Sequence, residues 1–285
     1  MTKNGEPSKP KWTVGVTTTP RQKGYYLDQT LRSLKNAGWT NIIVFAEPNS
    51  IMPDDFEGDV VRRRKQYGDW TNWASGLYEL FLSEPDTDYF FMAEDDALVC
   101  QGAKKYLEYA IPQLGEFGSL SIYTPSKYRR KVRGFFNCCE GIETWSTVTV
   151  VMPHASVWRF FSDPDVQRHR FADIFKVQKE WWLGTPHASY GAGYSSIIDT
   201  VGNTVKDAVI GNWAERTNLP VYYHTPALAE HIGYYSTLTD DLSEVGNGRM
   251  TSDFVGEDND LRDWMSEPIV KIGSSVAKPN RLALL

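Results

Sequence analysis

Hydrophobic and polar positions change their period several times along the first part of the chain. Residues 12–20 have the composition of a β-strand that runs into a threonine-rich turn. Leu27, Leu31 and Leu34 then recur at the spacing of one helix face. A short apolar run follows at residues 41–46. The order strand, helix, strand predicts a parallel sheet with right-handed crossovers.

The same two patterns continue toward the C-terminal part of the sequence. Further helices are predicted at residues 71–82, 103–114, 156–161 and 204–216. Further strands are predicted at residues 88–93, 119–123, 146–152 and 221–224. We therefore predict an α/β fold, with a single domain over residues 12–238 and a mostly parallel central sheet flanked by helices. A disordered polar tail at residues 1–11 and a polar C-terminal extension at residues 239–285 complete the predicted organisation.

The composition is that of an ordinary globular protein and excludes several classes. Of the 285 residues, 41% are hydrophobic and 23% are charged, which argues against a disordered or fibrous chain. The net charge of −6 excludes a wholly basic nucleic-acid-binding protein. No apolar run is long enough for a membrane helix, the first residues lack the apolar core of a signal peptide, and three cysteines form no disulfide framework. We expect a cytoplasmic protein with no membrane partner.

Three consecutive carboxylates, Glu94, Asp95 and Asp96, directly follow the apolar run 88–93. In an α/β sheet, ligands bind beyond the carboxyl ends of the strands. Carboxylates at that position suit a hard divalent cation, Mg²⁺ or Mn²⁺, whose other ligands are phosphate oxygens. The alternative is a solvated acidic turn that caps the next helix.

Two later residues add candidate chemistry. His231 lies in the segment 226–236, and its imidazole could serve as a further ligand of Mn²⁺. Asp207 follows Thr204 by three residues, at the predicted start of a helix. An acid there either stabilises the helix start or faces a cleft, where it could accept a proton from a hydroxyl group.

Taken in this order, the residues resemble a glycosyltransferase of the GT-A fold, which uses nucleotide-sugar donors. Glu94-Asp95-Asp96 takes the place of the metal-binding motif of that fold, and the segment 226–236 is similar to its late histidine-containing stretch. The nearest resemblance is to the N-acetylglucosaminyltransferase IV family. It covers residues 12–238 and implies a metal-dependent hexosyl- or N-acetylhexosaminyltransferase with a UDP-sugar donor.

The resemblance also implies roles for individual residues. Glu94, Asp96 and His231 would hold the metal, and Asp207 would be the general base of an inverting transfer. The run Gly191–Tyr194 would lie under the donor sugar. The remaining nucleotide contacts would come from Thr17, Thr18, Thr19, Glu47, Asn72 and Asp95.

The acceptor is left with two candidates. A glycan or small saccharide could stack on tryptophans, for which the candidates are Trp70, Trp73, Trp181 and Trp182. DNA that contains hydroxymethylated pyrimidines could bind two basic segments, Arg62–Lys65 and Lys127–Arg133. The absence of an apolar anchor favours an enzyme from a bacterial or phage-infected cell. A third hypothesis is a non-catalytic sugar-binding module, against which the intact acidic triplet argues.

Overall fold

The computed structural model describes residues 9–21, 24–138, 144–170, 206–234 and 250–272. Its strands are β1 (Trp12–Thr18), β2 (Ile42–Ala46), β3 (Asp59–Arg62), β4 (Tyr89–Glu94), β5 (Ala97–Val99), β6 (Ser119–Ser121), β7 (Gly134–Asn137), β8 (Thr149–Pro153), β9 (Val221–Thr225), β10 (Ala229–His231) and β11 (Lys271–Ile272). Its α-helices are α1 (Leu27–Asn36), α2 (Gly68–Ser83), α3 (Ala103–Ala110), α4 (His154–Ser162), α5 (Pro164–Arg170) and α6 (Lys206–Thr217).

Nine of these strands form one sheet in the order β11-β7-β9-β6-β8-β4-β1-β2-β3. β1 pairs in parallel with β2 and β4, β2 pairs in parallel with β3, and the pairs β6–β9 and β7–β11 are also parallel. β8 runs antiparallel to β4 and β6, and β7 runs antiparallel to β9. The predicted α/β fold with a mostly parallel central sheet is confirmed.

Helices cover both faces of this sheet. α1 and α3 contribute to one apolar cluster, and α2, α4 and α6 contribute to a second cluster. β4 contributes to both apolar clusters, because its side chains point alternately to the two faces of the sheet. Phe91 and Ala93 belong to the first cluster, whereas Phe90 and Met92 belong to the second. A strand that is buried on both faces reads as a continuous apolar run, which explains the pattern of residues 88–93.

Several short elements were not predicted from the sequence. β3, β5, β7 and β10 have only three or four residues each, so their apolar pattern is too brief to recognise. Part of the predicted C-terminal extension also joins the fold: β11 pairs with β7, Leu261 is buried, and Trp264 packs against His224. Within the described ranges, no helix has both the length and the apolar character that crossing a membrane requires.

The order of strands creates a crevice at one edge of the sheet. From β1 the chain proceeds outward to β2 and β3, and then β4 returns to the opposite side of β1. Such a reversal leaves room for a ligand beyond the carboxyl ends of the two central strands. Thr17 on β1 lies opposite Glu94 on β4, so the threonine-rich turn and the acidic triplet meet there.

Candidate metal centre

Two sheets bring three potential metal ligands together. Glu94 ends β4, and Asp96 follows it in the turn to β5. β10 pairs antiparallel with β5, which sets His231 opposite Ala97, and Ile232 N donates to Asp96 O at 2.8 Å. One ligand atom each of Glu94, Asp96 and His231 then lies within 4.8 Å of the others. These three residues are the ligands predicted from the sequence, and they form a group that could hold a metal ion.

Asp96 is buried between two basic side chains. It is 3% exposed, and its Oδ2 lies 3.3 Å from His231 Nε2 and 2.7 Å from Arg21 Nη2. Burial opposes ionisation, but His231 and Arg21 outweigh it and lower the pKa of Asp96 below its usual range. Its Oδ1 has no hydrogen-bond partner among the described residues. A buried carboxylate oxygen without a partner is costly, and a bound cation removes that cost.

The donor set also fits the chemistry of a divalent cation. Carboxylate oxygens suit Mg²⁺ and Mn²⁺, and an imidazole nitrogen is better suited to Mn²⁺. Gly233 leaves space beside this set, because a Cβ at that position would overlap the Asp96 carboxylate and lie 3.1 Å from His231 Cε1. The glycine in the predicted segment 226–236 is therefore explained by close approach to two ligands.

The strand that carries His231 is held by the C-terminal segment. Glu230 Oε1 accepts hydrogen bonds from His231 N at 2.8 Å and from Thr251 N at 2.9 Å. The Thr251 hydroxyl donates to the other Glu230 oxygen at 2.7 Å. Asp253 accepts from Ala227 N at 3.2 Å. Residues that the sequence analysis placed in a polar extension thus hold a candidate ligand in position.

Arg21, which the sequence analysis did not single out, occupies the centre of the acidic turn. Its Nη2 lies 2.5 Å from Asp95 Oδ1 and 2.7 Å from Asp96 Oδ2, and its side chain is 8% exposed. Thr18 donates to Asp95 Oδ2 at 2.6 Å. We expected Asp95 and Thr18 to contact the nucleotide; in this structure they contact each other, and Asp95 also contacts Arg21. A basic residue just after a strand that ends beside an acidic turn is the signal that could have identified Arg21.

A second buried cation lies on the other side of the triplet. Lys206, at the start of α6, places its Nζ 2.5 Å from Asp69 Oδ1 and 2.7 Å from Glu94 Oε1. Burial lowers the pKa of Lys206, but the two carboxylates raise it by more, so this ammonium group is charged. The ion pair links β4, α2 and α6 at the edge of the crevice.

Backbone hydrogen bonds fix the orientation of Asp207, and its raised pKa suits a general base. Its Oδ1 accepts hydrogen bonds from Ser146 N at 2.6 Å and from Thr147 N at 2.9 Å. Burial raises the pKa of Asp207 to about 6; Glu94 acts in the same direction, whereas Lys206 and the backbone donors oppose it. A carboxyl group that titrates near neutral pH can both accept and release a proton.

Glu47 lies at the start of α2. The residue is 2% exposed, and its carboxylate accepts hydrogen bonds from Tyr67 N and Gly68 N, each at 2.9 Å. Those N–H groups belong to the start of α2 and have no partner within the helix. The acid that follows the second strand therefore stabilises a helix, and its predicted contact with the base or ribose stays a prediction.

Asn72 is also turned into the protein. Its Oδ1 accepts from Arg63 Nε at 2.8 Å, and its Nδ2 donates to Phe45 O at 3.0 Å. Both ends of the amide are engaged and the side chain is buried, and the predicted nucleotide contact of Asn72 stays a prediction. Thr17 and Thr19 remain half-buried beside the crevice, and their predicted contact with the nucleotide stays a prediction.

The two predicted stacking tryptophans that the structure describes belong to the core. Trp70 and Trp73 are 1% and 0% exposed, and both rings pack against Phe160. Trp181, Trp182 and the run Gly191–Tyr194 lie outside the described residues. Trp145 is a better candidate: it is 38% exposed and directly precedes Ser146, which holds Asp207.

The first basic segment, Arg62–Lys65, is not a continuous charged surface. The Arg63 side chain is 5% exposed and lies 2.6 Å from Glu79 Oε1, and Arg62 Nη1 donates to Ser50 O at 3.1 Å. Arg64 and Lys65 remain exposed.

The second basic segment, Lys127–Arg133, is partly neutralised within the protein. Arg129 lies 3.7 Å from Asp253, and Arg133 forms an ion pair with Glu267. Both acids belong to the C-terminal segment 250–272. Acids therefore pair with Arg63 in the first basic segment and with Arg129 and Arg133 in the second, and the predicted DNA contact stays a prediction.

Comparison with known proteins supplies no family for this chain. No family model matches it, and no curated protein matches it. The fragment 1–349 of S. aureus TarS has a TM-score of 0.45 and 14% identity, covering 75% of this chain and 60% of that chain, so this chain spans less than two thirds of the fragment. A 4-diphosphocytidyl-2C-methyl-D-erythritol synthase from Anaerococcus prevotii has a TM-score of 0.39 and 10% identity, covering 78% and 92%. The function is therefore argued from the site itself.

The contact of Gly233 with Asp96 gives a direct test of the metal centre. In Gly233→Ala, the added methyl group displaces the Asp96 carboxylate, so we expect Mn²⁺ binding to weaken at least about tenfold. Isothermal titration calorimetry measures this affinity. Gly115→Ala is the control for a strained glycine replacement: at a φ of +77° the methyl group strains the backbone but meets nothing within 4 Å, so the Mn²⁺ affinity should stay unchanged. Equal affinities for Gly233→Ala and the unmodified protein would contradict the proposed ligand set.

Proposed function

We propose that the protein is a metal-dependent glycosyltransferase of the GT-A type. It transfers a sugar from a nucleotide-sugar donor, a UDP-sugar, to an acceptor hydroxyl with inversion at the anomeric carbon. The narrower resemblance to the N-acetylglucosaminyltransferase IV family remains a prediction.

One observation carries this proposal. Glu94, Asp96 and His231 converge at the crevice beyond β1 and β4, where the strand order reverses. That crevice is where α/β sheets bind nucleotides, and the ligand set suits a cation that accompanies phosphate groups. Asp207 adds a carboxyl group of raised pKa that acts electrostatically on Glu94, so a proton acceptor lies near the same site.

The protein's own side chains divide the remaining work. Glu94, Asp96 and His231 would hold the cation, which when bound supplies Lewis-acid neutralisation of the charge on the departing diphosphate. The Asp207 carboxylate takes the proton of the acceptor hydroxyl. The acceptor oxygen then bonds to the anomeric carbon, the bond from that carbon to the diphosphate breaks, and the nucleoside diphosphate leaves. The backbone bonds from Ser146 and Thr147 fix the orientation of the base.

Release of UDP from a panel of UDP-sugars tests the activity. We expect turnover with Mn²⁺, its loss in EDTA, and a decrease of at least about 100-fold in Asp96→Ala. Asp86→Ala is the matched control, since Asp86 is an exposed acid in a surface ion pair with Lys11, and it should retain full turnover. Turnover that survives both EDTA and Asp96→Ala would defeat the metal-dependent mechanism. Mn²⁺ and UDP binding without turnover would favour a non-catalytic sugar-binding module.

The pH dependence of transfer tests the role of Asp207. Only the ionised carboxylate accepts a proton, so kcat/KM should fall as the pH drops through about 6 and level off above it. Asp207→Asn should lower kcat by about 100-fold or more and abolish this limb of the profile. Glu215→Gln, on the exposed side of α6, is the control and should behave as the unmodified protein. If Glu215→Gln loses activity and Asp207→Asn does not, the base is Glu215.

We propose a saccharide acceptor in preference to DNA. The basic segments are partly buried or paired with acids, and the exposed ring of Trp145 lies beside the residues that hold Asp207. An indole ring provides a flat apolar surface on which a sugar face can stack.

Two measurements separate the acceptor classes. With duplex DNA that contains hydroxymethylated pyrimidines, we expect no electrophoretic shift even at low salt, where phosphate contacts are strongest. With a panel of mono- and disaccharides, Trp145→Ala should raise the acceptor KM without changing the KM for the donor. A shift that weakens steeply with salt, together with glycosylated DNA as product, would establish DNA as the acceptor.

A further inference from the structure

Two carboxylates of the candidate metal centre already have a buried cation as partner. Arg21 contacts Asp96 Oδ2 at 2.7 Å, and Lys206 contacts Glu94 Oε1 at 2.7 Å. The side chains of these cations are 8% and 4% exposed, so solvent screens neither pair well. The protein thus places positive charge of its own where a metal ion would add more.

Arg21 contacts the same oxygen that faces the histidine ligand. Asp96 Oδ2 lies 3.3 Å from His231 Nε2, and the guanidinium group of Arg21 lies on that oxygen and on Asp95 Oδ1. Without Arg21, the carboxylates of Asp95 and Asp96 would repel each other in a buried turn. With both Arg21 and a divalent cation, two positive groups would share one carboxylate.

We propose that Arg21 is a resident counter-cation that competes with the divalent metal for Asp96. It holds the acidic turn together in the metal-free protein, and it lowers the affinity of the finished site for metal. This inference rests on the metal centre of the proposed function. It assigns to Arg21 a positioning role through Asp95 and Asp96, without contact between Arg21 and the reacting atoms.

The direction in which metal affinity changes when Arg21 is replaced distinguishes a competing cation from a supporting one. A residue that merely supports the ligands weakens metal binding when it is removed, as outer-shell substitutions generally do. A competing cation does the opposite: its removal destabilises the metal-free protein and strengthens metal binding. Arg21→Met tests this, because it keeps a long side chain and removes the charge.

The experiment measures thermal unfolding of the full chain with and without Mn²⁺, and Mn²⁺ affinity by calorimetry. For Arg21→Met we expect a lower melting temperature without metal, Mn²⁺ binding about tenfold tighter, and an Mn²⁺-induced rise in melting temperature that is larger by about 3 °C. Arg32→Met is the matched control, because Arg32 pairs with Asp28 on the surface, and it should leave the Mn²⁺ response unchanged.

Arg21→Lys completes the series, since it keeps the charge but not the planar fork. Its Mn²⁺ affinity should lie between those of Arg21→Met and the unmodified protein. If the Arg21→Met variant can be purified as folded protein only in the presence of Mn²⁺, the metal has replaced the missing charge, which supports the proposal. If the Arg21→Met variant does not fold in either condition, the Mn²⁺ affinity of Arg21→Lys is the test. Tighter binding than in the unmodified protein supports competition, and weaker or equal binding overturns it.

Failure of this inference differs from failure of the metal centre. If the unmodified protein responds to Mn²⁺ and Arg21→Met responds equally or less, competition is wrong and the metal-dependent function stands. If no variant responds to Mn²⁺, and the unmodified protein does not either, the metal centre and the competition both fail.

Discussion

Repulsion among three consecutive carboxylates is the constraint on which the rest of the site depends. Glu94, Asp95 and Asp96 follow a strand that is buried on both faces, so they enter a poorly hydrated region where like charges interact strongly. Cations from distant parts of the chain pair with these carboxylates: Arg21 from the turn after β1 and Lys206 from the start of α6. Each acid also has a separate environment: Asp95 pairs with Arg21 and Thr18, whereas Glu94 and Asp96 lie beside His231 in a group that could hold a metal ion.

The sheet supplies the precision that this arrangement needs. The parallel register of β1 and β4 sets Arg21 and Thr18 beside the acidic turn, and the small β5–β10 sheet sets His231 on its other side. Glu94 and His231 lie on strands, and Asp96 lies in the two-residue turn that joins β4 to β5, so backbone hydrogen bonds restrain all three candidate ligands. Sites built on regular elements keep their geometry better than sites built on loops.

The sequence predicted the elements of the fold where the hydrophobic pattern is long and regular. The leucine stripe of α1 and the apolar runs of β2 and β4 were confirmed, and the acidic triplet with His231 was recognised from residue type. The contact of Glu47 with the start of α2 was not predicted, because a polar residue at a strand end looks the same in sequence whether it meets a ligand or an unsatisfied helix start. The contact of Asn72 with Arg63 was not predicted either, because it joins side chains of different elements. The ion pairs of Arg21 and Lys206 were not predicted, because their partners are about 75 and 137 residues away in the sequence.

The order of these partners along the chain has a consequence for synthesis. A nascent chain presents residues from the N-terminal side first, and domains acquire structure as their parts become available. Arg21 precedes the acidic triplet, whereas Lys206, His231 and the segment at Thr251 that secures the histidine strand all follow it. While the ribosome is still translating the second half of the protein, Arg21 is therefore the described partner already present to neutralise the triplet. Arg21, which we propose competes with the metal for Asp96 in the folded protein, is thus also the first of these cations to be synthesised.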